Sequence, residues 1–261
     1  MLKKILSVAT IMGVVVLFSC EMNEVSKREI PQSDLEKISQ LGFGTSDVLR
    51  VEDGYLVEGD ILITPSMLNS SPDHKLLRIA EVEQYRTTNL VNAAGGRTIT
   101  VSISSQLPAS YVAALDEALA RYNSENLLLT FTRVSSGADI SLVKGNGQYL
   151  ASAGFPTSAG DPHNSIKVNS RAIGNQPQAT VASILAHEIG HCIGFRHTDY
   201  MSRQYSCGGS PVNEGASTVG AIHIPGTPTG PDPNSFMLAC IGSGMNRPFN
   251  NNDKTALNYL Y

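Results

Sequence analysis

The sequence predicts an α+β fold in which a mixed sheet and one helix back a second helix. Three observations carry that prediction. Ile99, Val101 and Ile103 alternate with small polar residues over 97–103, the period of a half-buried strand. Val112, Leu115 and Leu119 recur at steps of three and four, the period of a helix with one buried face. Further stretches of helical length lie at about 180–193 and at 252–261. With 261 residues, 41% of them hydrophobic, the chain can bury a sizeable core.

Taken in order, residues 1–20 read as an export signal. Lys3 and Lys4 precede the apolar run 5–18, whose about 14 residues fall short of the roughly 20 needed to span a bilayer. The run closes on Leu17-Phe18-Ser19-Cys20, which resembles the lipobox of bacterial lipoproteins and implies acylation of Cys20; Phe18 is bulky for that box, and the alternative is an ordinary signal peptide cut elsewhere. Residues 21–39 are polar with scattered charges and read as a tether. In 32–95, Leu35, Ile38 and Leu41 sit at helical spacing and 55–63 reads as a strand. We assign 21–95 as tether and propeptide, with a structural subdomain that is never removed as the alternative. The domain 96–261 follows: a strand at 97–103, a helix over 108–122 with Ser110 as start signal, strands at 127–134, 138–143 and 165–169, then the long helix, a loop over 202–234 rich in Gly and Pro, and the C-terminal helix.

The long helix ends in His187-Glu188-Ile189-Gly190-His191-Cys192-Ile193-Gly194-Phe195-Arg196-His197. Residues four apart lie one turn above each other, so His187 and His191 can face one ion from the same side of the helix. Gly194 can take a positive φ at no steric cost, ending the helix and turning His197 back as a third ligand. Three imidazoles with an open fourth position fit a catalytic Zn2+. Glu188 beside that opening is the candidate general base, taking a proton from water and returning it to a leaving amine.

This pattern resembles the metzincin clan of zinc metallopeptidases. The resemblance extends to Leu129-Thr130-Phe131-Thr132-Arg133-Val134, Ala138-Asp139-Ile140, Gly154-Phe155-Pro156 and Gly160-Asp161-Pro162-His163, which look like the strand order of a matrixin-type catalytic domain. The His-Glu-Ile-Gly-His string, with Arg196-His197-Thr198-Asp199 after it, looks closest to the bacterial dual-action HEIGH metallopeptidases. It covers about 45–261 and is strongest from Arg97 onward. It implies a zincin-like domain with a twisted mixed sheet, a backing helix, a zinc-binding helix, a Met-turn and a C-terminal helix. It also implies a methionine beneath the histidines; Met237 leaves room for a loop before the last helix, and Met245 is the alternative.

With Cys20 acylated, Cys192, Cys207 and Cys240 remain, so one disulfide is expected. Cys207 with Cys240 would staple the loop between the zinc helix and the Met-turn; Cys192 with Cys207 is the alternative. Asp199 reads either as a carboxylate orienting a ligating ring or as a solvated loop residue. By analogy the 202–234 loop borders the cleft. His163 lies where related matrixins carry structural metal ligands, so an additional Ca2+ or Zn2+ is a minor expectation; His74 and His223 show no partner spacing. No cysteine lies between Cys20 and Cys192, so a latency ligand from the leader has to be a carboxylate, with Asp60 or a neighbouring acid as the candidate.

Loss of Lys3 and Lys4 with the signal moves the net charge from −4 to −6, and no basic run appears, which argues against nucleic acid as a partner. The expected function is an endopeptidase acting on protein or peptide substrate, a monomer, exported to the outer membrane or cell surface or secreted, and touching the membrane only through the lipid on Cys20. The alternatives are a non-catalytic zinc-containing surface lipoprotein and a narrow peptidase of cell-wall cross-links.

Overall fold

The computed structural model describes residues 30–41, 43–69, 84–210, 213, 221–228 and 232–261. The export signal, Cys20, the start of the tether and His74 lie outside the described residues.

The first unit opens with α1 (Gln32–Gln40), whose Ile38 is buried, followed by the buried Leu41 at its C-cap. Three short strands, β1 (Leu49–Val51), β2 (Gly54–Val57) and β3 (Ile61–Ile63), form an antiparallel sheet, and α2 (Pro65–Leu68) closes the unit with Thr64 as its N-cap. The expected single strand over 55–63 is instead a hairpin. Tyr55 pairs with Ile63 and Val57 with Ile61 around the three-residue tip Glu58-Gly59-Asp60, where Glu58 (φ 55°) and Gly59 (φ 92°) both take positive φ. In the sequence the polar triplet Glu58-Gly59-Asp60 interrupts two apolar runs, 55–57 and 61–63, and reading 55–63 as one strand passes over that break. The small core of this unit borrows Phe155 from the second unit, stacked on Phe43 at 6.2 Å.

The second unit begins at β4 (Tyr85–Arg86) and is built on β5 (Arg97–Ile103), α3 (Ser110–Asn123), β6 (Leu129–Arg133), β7 (Ile140–Lys144), β8 (Ala151–Ser152) and β9 (Ser165–Val168). The five main strands lie in the order β6-β5-β7-β9-β8, all parallel except β8, which forms the edge antiparallel to β9. The α+β fold with a mixed sheet is therefore as expected. Ser110 is the first residue of α3 rather than its cap; Ala109 holds that position without a side-chain bond.

After α4 (Ser170–Ile173), α5 (Gln178–Ile193) runs through the middle of the molecule. Every residue from Thr180 to Ile193 is buried, which explains why its polar positions point to a site instead of solvent. Helix α3 holds it from one side: Tyr122 donates to the Ala186 carbonyl at 2.7 Å, and Arg121, paired with Glu117, reaches Ser183 at 3.0 Å. The chain ends with α6 (Gln204–Cys207), β10 (Ile222–His223), which pairs with β4, and α7 (Asn251–Leu260), started by a capping box between Asn250 and Asp253.

Residues 84–93 pack with this second unit although the sequence places them in the leader. Gln84 is fully buried and donates to Ser235 and Asp253, the Thr87 amide bonds to the Gly194 carbonyl, and the Val91 amide bonds to the Tyr261 hydroxyl. Among the described residues no helix is long and apolar enough to cross a membrane.

Candidate metal centre

Helix α5 stacks His187 over His191, and the chain then turns at Gly194 (φ 112°), as its spacing requires. A Cβ there would sit 2.7 Å from Leu90 and 3.1 Å from the Asn89 carbonyl, so the turn has room only for glycine. The backbone on either side of His197 is pinned: the Arg196 amide donates to the Tyr85 carbonyl and the Thr198 amide to the Met237 carbonyl.

The tautomers follow from hydrogen bonds. His187 Nδ1 lies 2.9 Å from the Phe236 carbonyl and His191 Nδ1 lies 2.8 Å from the Phe195 carbonyl. A carbonyl only accepts, so both Nδ1 atoms carry the proton and both Nε2 atoms present a lone pair. Burial and the adjacent imidazoles of His187 and His197 push His191 well below its ordinary pKa, which keeps it neutral.

The fourth member comes from the first unit. Asp60, at the hairpin tip, lies 3.3 Å from His197 Nε2, 3.6 Å from His187 Nε2 and 4.0 Å from His191 Nε2. Ligand atoms from Asp60, His187, His191 and His197 all fall within 4.8 Å of one another. Asp60 Oδ1 and the Nε2 atoms of His187 and His191 are buried with no hydrogen-bond partner among the described residues. Buried polar atoms left unbonded are costly, and convergent lone pairs of this chemistry fit a tetrahedral zinc ion.

Two further contacts hold the tip in place. Arg196 Nη2 donates to both carboxylate oxygens of Glu58, each at 2.7 Å, with the guanidinium 4.9 Å from the Phe43 ring centre and 5.6 Å from that of Tyr200. The main chain pairs with the edge of the sheet, Leu62 N to Ala153 O at 2.8 Å and Ala153 N to Asp60 O at 3.0 Å. Both members of the ion pair are buried, so Glu58→Ala, which strands the Arg196 charge, is expected to weaken docking of the first unit by about 3–5 kcal/mol. Limited proteolysis reads this directly: the variant should lose its first unit while the second stays resistant, and equal resistance of both units would contradict it.

Glu188 is buried beside the histidines with Oε2 lacking a hydrogen-bond partner. Burial first, and then the neighbouring Asp60 carboxylate, push its pKa well up. Beneath the site Met237 is fully buried, whereas Met245 is 44% exposed. Gly190 makes the space for it, since a Cβ there would lie 2.6 Å from the Met237 sulfur. A residue the sequence reading did not single out supports this layer. Asp253 is fully buried, its Oδ1 accepting from Gln84 and Ser235 and its Oδ2 from the amides of Phe236 and Asn250. Only the capping-box spacing from Asn250 marks it in the sequence.

Cys207 and Cys240 form a disulfide with Cα atoms 5.1 Å apart, and Cys192 is a buried free thiol. Asp199 matches neither sequence expectation. It is buried and faces the disulfide loop, accepting from the Ala239 amide at 2.9 Å and from Ser206.

Among the described residues no second cluster of three His, Cys, Asp or Glu ligands forms. Asp161 instead pairs with Arg97 at 2.9 Å, and His223 bonds Thr227. His163 packs its ring on Gly154, and burial pushes its pKa down to about 4. The unfolded chain therefore binds this proton first, so stability falls as pH drops from 6.5 toward 4, by up to about 3 kcal/mol. Asp253, raised to about 6 mainly by burial, contributes in the opposite direction. The difference between the parent and His163→Gln isolates the histidine: the melting temperature of the variant should fall less between pH 7 and pH 4.5, and parallel curves would contradict this.

Comparison with known proteins adds a family. The model of the family described as dual-action HEIGH metallo-peptidase matches residues 56–261. Two myroilysin structures are similar: one at 13% identity, covering 66% of this chain and 96% of that one with a TM-score of 0.36, the other at 14%, 64%, 79% and 0.38. High choriolytic enzyme 1, a hatching-enzyme zinc protease from Oryzias latipes, is similar at 19% identity, covering 66% of this chain and 92% of that one, with a TM-score of 0.37. No curated protein matches.

Proposed function

The chain belongs to the dual-action HEIGH metallopeptidases, and from that premise we propose that it is an exported zinc endopeptidase, made as a lipoprotein on Cys20 and held latent by Asp60. The observation that carries the reading is the convergence of three imidazoles and one carboxylate within 4.8 Å, with Asp60 Oδ1 and the Nε2 atoms of His187 and His191 buried and without a hydrogen-bond partner among the described residues.

His187, His191 and His197 would hold zinc through Nε2, with Asp60 closing the fourth position in the latent chain. Zinc at such a site supplies Lewis acidity, polarising a scissile carbonyl and acidifying water. The chain supplies the rest. Glu188 takes the proton of the attacking water as oxygen bonds to the carbonyl carbon, then returns it to nitrogen as the C–N bond breaks. The β8 edge, which the Asp60–Leu62 backbone now occupies, offers a substrate the same main-chain hydrogen bonds. The leader that must leave ends before Gln84, because residues from Gln84 onward are stitched into the second unit by the buried contacts of Gln84, Thr87 and Val91.

The test is the zinc content of the purified chain together with hydrolysis of quenched casein after removal of the leader. One zinc per chain and hydrolysis abolished by phenanthroline are expected; a metal-free chain that still cuts would overturn the reading. Intact mass of the membrane fraction, showing diacylglyceryl on Cys20 or none, decides the anchor.

A further inference from the structure

A cavity of about 220 Å³ runs from His187 and Glu188 between α5 and the segment 236–241 to Arg247. Its walls there are mostly apolar, including Ile184, Phe236 and Leu238, with Ser183 at one side and Arg203 at another. Arg247 is only 9% exposed. Its Nη1 donates to the Cys240 carbonyl at 2.8 Å, while Nε is buried with no hydrogen-bond partner among the described residues. Its own backbone is fixed, the amide donating to Ser183 Oγ and the carbonyl accepting from Arg121.

The acids whose charge reaches this guanidinium are Asp199 and Asp253. Neither pairs with it: Asp199 is taken up by Ala239 and Ser206, and Asp253 by Gln84, Ser235, Phe236 and Asn250. A buried cation with a donor to spare, sharing its cavity with a second arginine, Arg203, is matched by a carboxylate and left uncompensated by a neutral side chain. Glu188 stands at the other end of the same cavity. A group that hands its proton to the leaving nitrogen sits on the leaving side of the bond, so the side chain entering this cavity belongs to the residue that supplies that nitrogen.

We propose that Arg247 is a specificity-determining residue, selecting substrates with Asp or Glu immediately after the scissile bond. The inference rests on the endopeptidase reading and deepens it. The full-length protein is nicked with trypsin, whose sites Lys75 and Arg78 lie between the two units, the trypsin is inhibited, and paired peptides differing only by Glu or Leu at that position are compared. A charge-assisted hydrogen bond predicts a kcat/KM ratio favouring Glu by about 10- to 100-fold, collapsing toward unity in Arg247→Met and partly restored in Arg247→Lys. No preference in the parent overturns the proposal, as does a variant that loses rate on both peptides equally and keeps the ratio, which is what a purely structural arginine would do. If intact mass shows the first unit gone and neither peptide is cut, the endopeptidase reading is what fails, and a titration decides the cavity by itself. The Arg247 Nε–H resonance of the nicked protein should shift saturably with glutarate and not with glutaramide; no shift with glutarate overturns the proposal.

Discussion

Asp60→Ala is expected to raise peptide hydrolysis by the full-length, uncut chain by about 10- to 100-fold. The carboxylate sits within 3.3 to 4.0 Å of all three Nε2 atoms, and losing a charge-assisted contact of this kind shifts the closed–open balance by that factor. The effect is not expected to equal full activation, because the Glu58–Arg196 pair and the backbone bonds to Ala153 still hold the hairpin over the cleft. Adding Glu58→Ala should therefore raise the rate further. A full-length Asp60→Ala chain that stays as inactive as its parent, while the processed protein cuts, would show that Asp60 does not close the site.

Glu188→Ala is expected to lower kcat of the processed enzyme by roughly 10² to 10⁴, the usual share of a positioned general acid–base. Zinc content should not change, since the histidines carry the lone pairs and Glu188 is not among the clustered ligands. The separation of the two readouts matters: loss of zinc together with activity would mean that Glu188 holds the metal site together, whereas retained activity would move the base to another residue.

Much of this site is legible in the sequence because it is local. His187 and His191 on one helix, Gly194 with positive φ and His197 after the turn follow from helix periodicity and glycine's conformational freedom alone. The strands β5, β6, β7 and β9 are legible because each buries one face of the sheet; β8, at two residues, is too short to show a period. The hairpin tip is hidden for a different reason. Residues 55–63 read as one strand because apolar triplets flank a short polar break, and docking against Arg196 and the sheet edge fixes the tight reversal that Glu58-Gly59-Asp60 makes there. The polar triplet Glu58-Gly59-Asp60 is the local sign of that turn. Gln84 and Asp253 stay hidden too, since each is a polar residue whose partners lie far along the chain.

The most direct test of a zinc endopeptidase kept closed by Asp60 is mass spectrometry of an unfolded protein substrate incubated with zinc-loaded full-length chain, Asp60→Ala and Asp60→Ala/Glu188→Ala. The account predicts fragments with Asp60→Ala, few with the parent and none with the double variant. Equal fragments from the double variant and Asp60→Ala would contradict it.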